Sequence, residues 1–158
     1  MLMEELREKR QWIYNVNLDN YTTPYGTYLI IEISTKNKHI INVVMHTIKI
    51  LKNLIDGRFS SEYLEYVKRA YMVEHYSTCQ NNAFLSDFYG QQYINQLYDV
   101  GETPTILSFK EVAQEILKIR KMNFVMFIKR LLIFSNMKIA YQGKKEIKNL
   151  QSLVLNKI

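Results

Sequence analysis

The spacing of the apolar residues changes once along this chain, and that change most constrains the fold. Tyr14–Asn20 and Thr27–Thr35 read as extended segments on either side of a turn at Thr22–Gly26, where Pro24 and Gly26 favour a reversal. From residue 40 onward the apolar residues recur every three to four positions. With only five glycines and two prolines to interrupt them, the later elements are predicted to be long helices.

Several helix boundaries are marked by their terminal residues. Gly57 suits the position just past the first long helix, and Ser60 is a good N-cap for the next. Ser108 and Glu111 have the spacing of a capping box. Met137–Gly143 is predicted to be a last strand. The predicted fold class is therefore α+β, a small, mostly antiparallel sheet with several helices packed on it.

Composition excludes several kinds of protein. The 158 residues fit one domain, and a lone cysteine, Cys79, cannot form an internal disulfide. The chain has no secretory signal core and no apolar run long enough for a membrane span, so a soluble, intracellular protein is predicted, without choosing between cytoplasm and organelle. The net charge is +6, and from Lys110 onward 11 Lys and Arg stand against 3 Asp and Glu. Nucleic-acid binding is an alternative, but no recognition motif supports it.

No self-contained catalytic site is predicted from the residues. The three histidines, His39, His46 and His75, lack the spacing of two metal ligands on one helix face. Tyr71–His75 misses the zinc motif H-x-x-E-H by its first residue, and Glu74 and His75 are interpreted as ordinary helix residues. The sequence contains no phosphate-binding glycine motif and no nucleophile motif.

Arg7 and Tyr14 remain, at a helix end and on the strand that follows. Both side chains donate hydrogen bonds, and together they could hold a carbonyl oxygen that gains negative charge in a transition state. The alternative is that Arg7 pairs with a nearby glutamate and that Tyr14 packs as a half-buried aromatic ring.

The segment LREKRQWIYNV resembles the L-R-x(6)-Y stretch in the C-terminal half of the pitrilysin/insulinase family of zinc peptidases. The resemblance continues through YLIIEIST, SSEYLEYVKRAY, FLSDFYG, ILSFKEVAQEI and IAYQG, from about Leu6 to Gly143. It implies a half-domain over 1–143, with a basic tail over 144–158. It also implies substrate binding by Arg7 and Tyr14, with no catalytic or metal-binding residue in this chain. Ile13 and Trp12 are bulkier than the family pattern and could change how Tyr14 is aimed.

In that family two halves enclose a peptide, and the half that carries H-x-x-E-H holds the zinc. The expected partners are therefore a zinc-bearing half, in the same or another chain, and a peptide substrate, with zinc in the partner half and no cofactor here. The chain alone is not expected to hydrolyse peptides. Met1 falls within the helix that delivers Arg7, so a piece of a longer peptidase, a split gene or a remnant is expected. The alternative is an inert structural or regulatory subunit of the same fold.

Overall fold

The computed structural model describes residues 1–23, 26–97 and 105–143, together with Leu150 and Ser152. They form two compact units, one made of residues 1–58 and 125–158 and the other of residues 59–124. The elements, in chain order, are a π-helix (Met3–Glu8), β1 (Ile13–Thr23), β2 (Gly26–Thr35), a 3₁₀ turn (Asn37–His39), α1 (Ile40–Ile55), α2 (Ser61–Thr78), α3 (Asn82–Leu97), α4 (Phe109–Lys118), α5 (Lys121–Leu131) and a 3₁₀ turn (Phe134–Asn136).

The two strands form the predicted antiparallel hairpin in the first unit. Val16 lies opposite Ile33 and Leu18 lies opposite Ile31, so these four apolar residues share one face of the ribbon. The predicted turn at Thr22–Gly26 lies partly outside the described residues, because they omit positions 24 and 25. Within the described residues the sheet has these two strands, and each strand leaves one edge without a neighbouring strand.

The core of the first unit has two apolar clusters. One joins the π-helix, the base of the hairpin and α1 through Leu6, Ile13 and Val43, with Val16 and Ile33 packed against it. The other is centred on α1. Its members are Ile40, Ile48 and Leu150, with Val44, Met45, Phe134, Met137, Ile139 and Tyr141 around them. Burying aliphatic side chains in this way removes apolar surface from water and stabilises the unit.

The predicted last strand, Met137–Gly143, is wrong. These residues have no regular secondary structure, although Met137, Ile139 and Tyr141 do pack on the cluster around α1. The alternating apolar residues of this segment therefore indicate that one of its sides packs against the cluster around α1. A strand also needs a neighbouring backbone to bond with, and within the described residues none pairs with this segment.

The second unit is helical and follows the predicted caps. The hydroxyl of Ser60 accepts a hydrogen bond from the backbone N–H of Tyr63 at 3.0 Å, at the start of α2. Ser108 and Glu111 form a complete capping box at the start of α4. His75, only 4% exposed, lies among aromatic rings and stacks on Phe109 at a centroid distance of 4.0 Å.

The fold class is therefore α+β, as predicted. Gly57 has a positive φ of 68° just after α1, where a glycine relieves backbone strain. Among the residues described, no helix is both long enough and apolar enough to cross a membrane. The predicted basic tail, 144–158, lies outside the described residues apart from Leu150 and Ser152, so the domain boundary at 143 stays a prediction.

Candidate functional site: the junction between the π-helix and the hairpin

The π-helix fixes the position of Arg7 through the residue before it. Leu6 is completely buried and packs with Ile13 and Val43. Arg7 follows immediately and is exposed. A buried aliphatic anchor limits how this short helix can turn, so the guanidinium next to it projects from a defined backbone position.

A left-handed residue ends the helix and turns the chain into β1. Gln11 has a φ of 54°, which side chains other than glycine rarely adopt. Its N–H donates to the carbonyl of Arg7 at 2.8 Å, and the N–H of Trp12 donates to the carbonyl of Leu6 at 2.9 Å. This closure resembles a Schellman helix end, and it holds the backbone of Arg7 in place while leaving its side chain unbound.

Tyr14 is the extra residue of a β-bulge. Ile13 lies opposite Thr35 and Asn15 lies opposite Ser34, so Tyr14 faces no partner residue on β2. A bulge interrupts the alternation of a strand and redirects side chains. Tyr14 is 59% exposed, whereas Ile13 is only 5% exposed.

The bulky neighbours of Tyr14 point away from it, into the first unit. Trp12 packs against the Leu6 cluster, stacks on His39 at 5.8 Å and meets the edge of His46 at 4.9 Å between ring centroids. The bulge therefore separates the bulky residues Trp12 and Ile13, which pack inward, from the exposed phenol.

Two of the three glutamates near Arg7, Glu4 and Glu5, are bound by other cations. Glu5 accepts hydrogen bonds from Lys9 and from Arg10, the latter at 2.7 Å. These bonds, that of Lys9 first, lower the pKa of the Glu5 carboxyl, and Glu5 and then Glu4 raise the pKa of Lys9. Glu4, Glu5, Lys9 and Arg10 are thus paired with one another and not with Arg7.

The side chain of Arg7 makes no hydrogen bond or ion pair with the residues that the structure describes. The alternative, in which a nearby glutamate neutralises Arg7, is not the arrangement found. Tyr14 is likewise exposed instead of half-buried. The structure places both residues at one junction, on either side of Gln11, and no direct bond between them is present in the described residues.

The histidines take part in packing. The Nε2–H of His75 donates to the carbonyl of Phe109 at 3.1 Å, and the ring of His75 stacks on Tyr71 at 5.5 Å. Glu74 is exposed. In the part of the chain that the structure describes, no three His, Cys, Asp or Glu side chains come together as metal ligands.

Sequence reasoning identified Arg7 and Tyr14 but missed the two backbone features that place them. The sequence does not indicate that Gln11 adopts a left-handed conformation, because glycine and asparagine are the residues that usually adopt it at the end of a helix. The bulge depends on the register of β1 against β2, which a single strand does not reveal.

Residues 1–71 match the family model described as the Peptidase M16 inactive domain. The matched range contains Arg7, Tyr14, the hairpin, α1 and most of α2, and the resemblance beyond residue 71 stays a prediction. No curated protein matches the chain. Over residues 1–71, which are less than half of its length, the chain is therefore similar to the inactive C-terminal domain of the M16 peptidases.

Proposed function

We propose that this chain is the substrate-binding, non-catalytic half of an insulinase-type zinc peptidase. In this proposal Arg7 and Tyr14 donate hydrogen bonds to the carbonyl oxygen of the peptide bond that is cut. The chain would act when paired with a half that carries H-x-x-E-H, in the same or another polypeptide.

One observation carries the proposal. Two strong hydrogen-bond donors are exposed and unpaired within the described residues, at a junction whose backbone is fixed by Leu6, Gln11 and the bulge at Tyr14. Donors that are held in place before the reaction lose little free energy to reorganisation when negative charge develops on an oxygen. A guanidinium and a phenol can both donate to one oxygen atom.

The zinc belongs to the other half in this account. The match over residues 1–71 is to the inactive domain of these peptidases, and we propose that the ion is bound by the other half. Zinc, held by the other half, would supply an activated water. Arg7 and Tyr14 would orient the peptide and stabilise the oxygen that gains charge, without transferring a proton.

The test is peptide hydrolysis by this chain assembled with a zinc-bearing half. Arg7→Ala and Tyr14→Phe should each lower kcat by about 100-fold, the size of effect seen when one oxyanion donor is removed. The matched controls are Lys9→Ala, an exposed cation just after the same helix, and Tyr21→Phe, an exposed tyrosine on the same strand. Both controls should keep kcat within about three-fold, since exposed ion pairs contribute little.

Full activity in Arg7→Ala and Tyr14→Phe would overturn the proposal. If these variants also bound a partner that is not a peptidase as well as the native chain does, the alternative of an inert interaction subunit would be favoured instead. A loss in all four variants would point to a general disturbance of the hairpin, and would also count against specific roles for Arg7 and Tyr14.

A further inference from the structure

An open groove in the helical unit has four basic residues among the nine that line it. It has a volume of about 510 Å³ and lies between α2 and the segment that connects α4 to α5. This volume is within the usual range for small-molecule sites. Four of its lining residues are basic (Lys68, Lys118, Arg120 and Lys121), and one, Glu65, is acidic.

Lys68 is the buried cation of the groove. The residue is only 6% exposed, which is uncommon for lysine. Its Nζ donates to Oε1 of Glu65 at 2.7 Å and to the carbonyl of Ile119 at 2.9 Å. An ammonium group has three donors, so one N–H of Lys68 remains for a further acceptor.

Arg120 and Lys121 supply cations at the start of α5. The guanidinium of Arg120 is exposed and has no ion pair or hydrogen bond within the described residues. Lys121 donates to the carbonyl of Phe59 at 2.6 Å and lies 4.9 Å from the centroid of the Phe59 ring. A carbonyl and a ring do not neutralise Lys121, so it still presents a positive charge to an anion.

The remaining charges near the groove are partly balanced. Lys118 pairs with Glu115 at 2.6 Å on the exposed side of α4. Glu62 stands near the start of α2. Its pKa is lowered by a bond to its own backbone N–H, then by Ser60, and to a lesser extent by Lys121. The lining itself keeps an excess of three positive charges over Glu65.

We propose that this groove binds the phosphate group of a small molecule. Arg120 would bind two phosphate oxygens side by side, and Lys121 and Lys68 would contribute the other donors. A phosphate offers three anionic oxygens on one atom, which suits several cations better than the two oxygens of a carboxylate. Leu64 and Leu117 give the groove an apolar wall against which the carbon part of a phosphate monoester could lie. The proposal does not rest on the function proposed for Arg7 and Tyr14.

The test is calorimetric titration of the full chain at constant ionic strength, with inorganic phosphate and with glycerol 3-phosphate as probes. Saturable binding at one site is expected. Arg120→Gln and Lys121→Gln should each weaken it by about ten-fold, because a charge-assisted hydrogen bond contributes about 1.5 kcal/mol or more. Lys110→Gln is the matched control, since Lys110 is an exposed lysine of the same unit outside the groove.

The two probes separate the sources of phosphate. Tighter binding of glycerol 3-phosphate would identify a monoester whose carbon chain contacts Leu64 and Leu117, and equal binding would identify the free ion. Arg120→Lys should recover only part of the affinity, because lysine keeps the charge but loses the paired donors. No saturable binding, or equal weakening by Lys110→Gln and Arg120→Gln, would overturn the proposal.

Discussion

At the scale of single residues, Gln11 decides how the chain passes from the π-helix into β1. Its φ of 54° is unfavourable for a residue that has a Cβ atom, whereas glycine adopts this backbone conformation without strain. Gln11→Gly is therefore expected to raise the free energy of unfolding by about 0.5–1 kcal/mol, after allowing for the greater freedom of glycine in the unfolded chain. The measurement is the midpoint of urea unfolding.

Gln11→Ala is the control for that substitution. Alanine shortens the side chain but keeps the Cβ atom, so the change should stay within about 0.5 kcal/mol. Equal midpoints for the glycine and alanine variants would contradict the left-handed backbone at this position.

What the sequence could predict at this scale depended on local chemistry. The hydrogen bonds that cap α2 and α4 join residues only three positions apart, so their spacing in the sequence predicted them correctly. The capping residues are Ser60, Ser108 and Glu111. The bulge at Tyr14 could not be predicted, because it is defined by the residues of β2, which lie about twenty positions away. The roles of Arg7 and Tyr14 came from a resemblance and stay a prediction.

At the scale of elements, the capping box at the start of α4 should make stability depend on pH. The Ser108 hydroxyl and backbone N–H both donate to the Glu111 carboxylate, at 2.6 and 2.8 Å, and these bonds lower the pKa of Glu111. A carboxyl group with a lowered pKa in the folded state stabilises the fold above its unfolded pKa. That stabilisation is lost as the pH falls through the folded value.

Glu111→Gln should therefore lower the urea midpoint at neutral pH, and the difference from the native chain should shrink as the pH falls below about 4. Urea unfolding at a series of pH values measures this. In a Ser108→Ala background the same substitution should lose part of its pH dependence, because the hydroxyl donor is gone while the backbone N–H donor remains. A difference that grows at acid pH would contradict the assignment.

The hairpin predicts self-association of the isolated chain. A two-stranded ribbon with an open edge on each strand can pair with another strand, and its outer half exposes Leu18, Tyr21, Tyr28 and Ile30. Ile30→Lys places a lysine opposite Asp19, where a cross-strand ion pair supports the hairpin. The substitution should weaken self-association by about ten-fold, or about 1.4 kcal/mol, since charge blocks edge pairing.

Sedimentation over a range of concentrations measures this effect. Val73→Lys is the control, because Val73 is equally apolar and highly exposed but lies on α2. It should associate as the native chain does. A native chain that stays monomeric at every concentration would contradict the prediction, as would equal weakening by both lysines.

The predicted and observed elements differ where pairing decides the outcome. Apolar residues that recur every three to four positions predict the helices, and extended segments with a period of two predict the hairpin. The structure confirms both. Met137–Gly143 has the period of a strand but no backbone partner in the described residues, so it packs without forming one. Sequence alternation shows which side of a segment is buried, and it does not show whether a neighbouring strand exists.

At the scale of the whole molecule, the family match and the candidate site at Arg7 and Tyr14 lie in the same part of the chain. Residues 1–71 match the inactive M16 domain, and both candidate donors lie in the first 14 residues of the matched range. Of the nine residues that line the cationic groove, four lie within the matched range and five, from Leu117 to Lys121, lie beyond it. The sequence alone did not predict the groove, because its cations come from α2 and from a connection about fifty positions later.

The most direct test of the central claim is a double-mutant cycle on kcat. It uses this chain assembled with a zinc-bearing half and compares Arg7→Ala, Tyr14→Phe and the double variant. If both donors stabilise one oxygen, the double variant should lose clearly less than the product of the two single losses, because residues that act as a unit are not additive. A double variant that hydrolyses peptide at the native kcat would contradict the account.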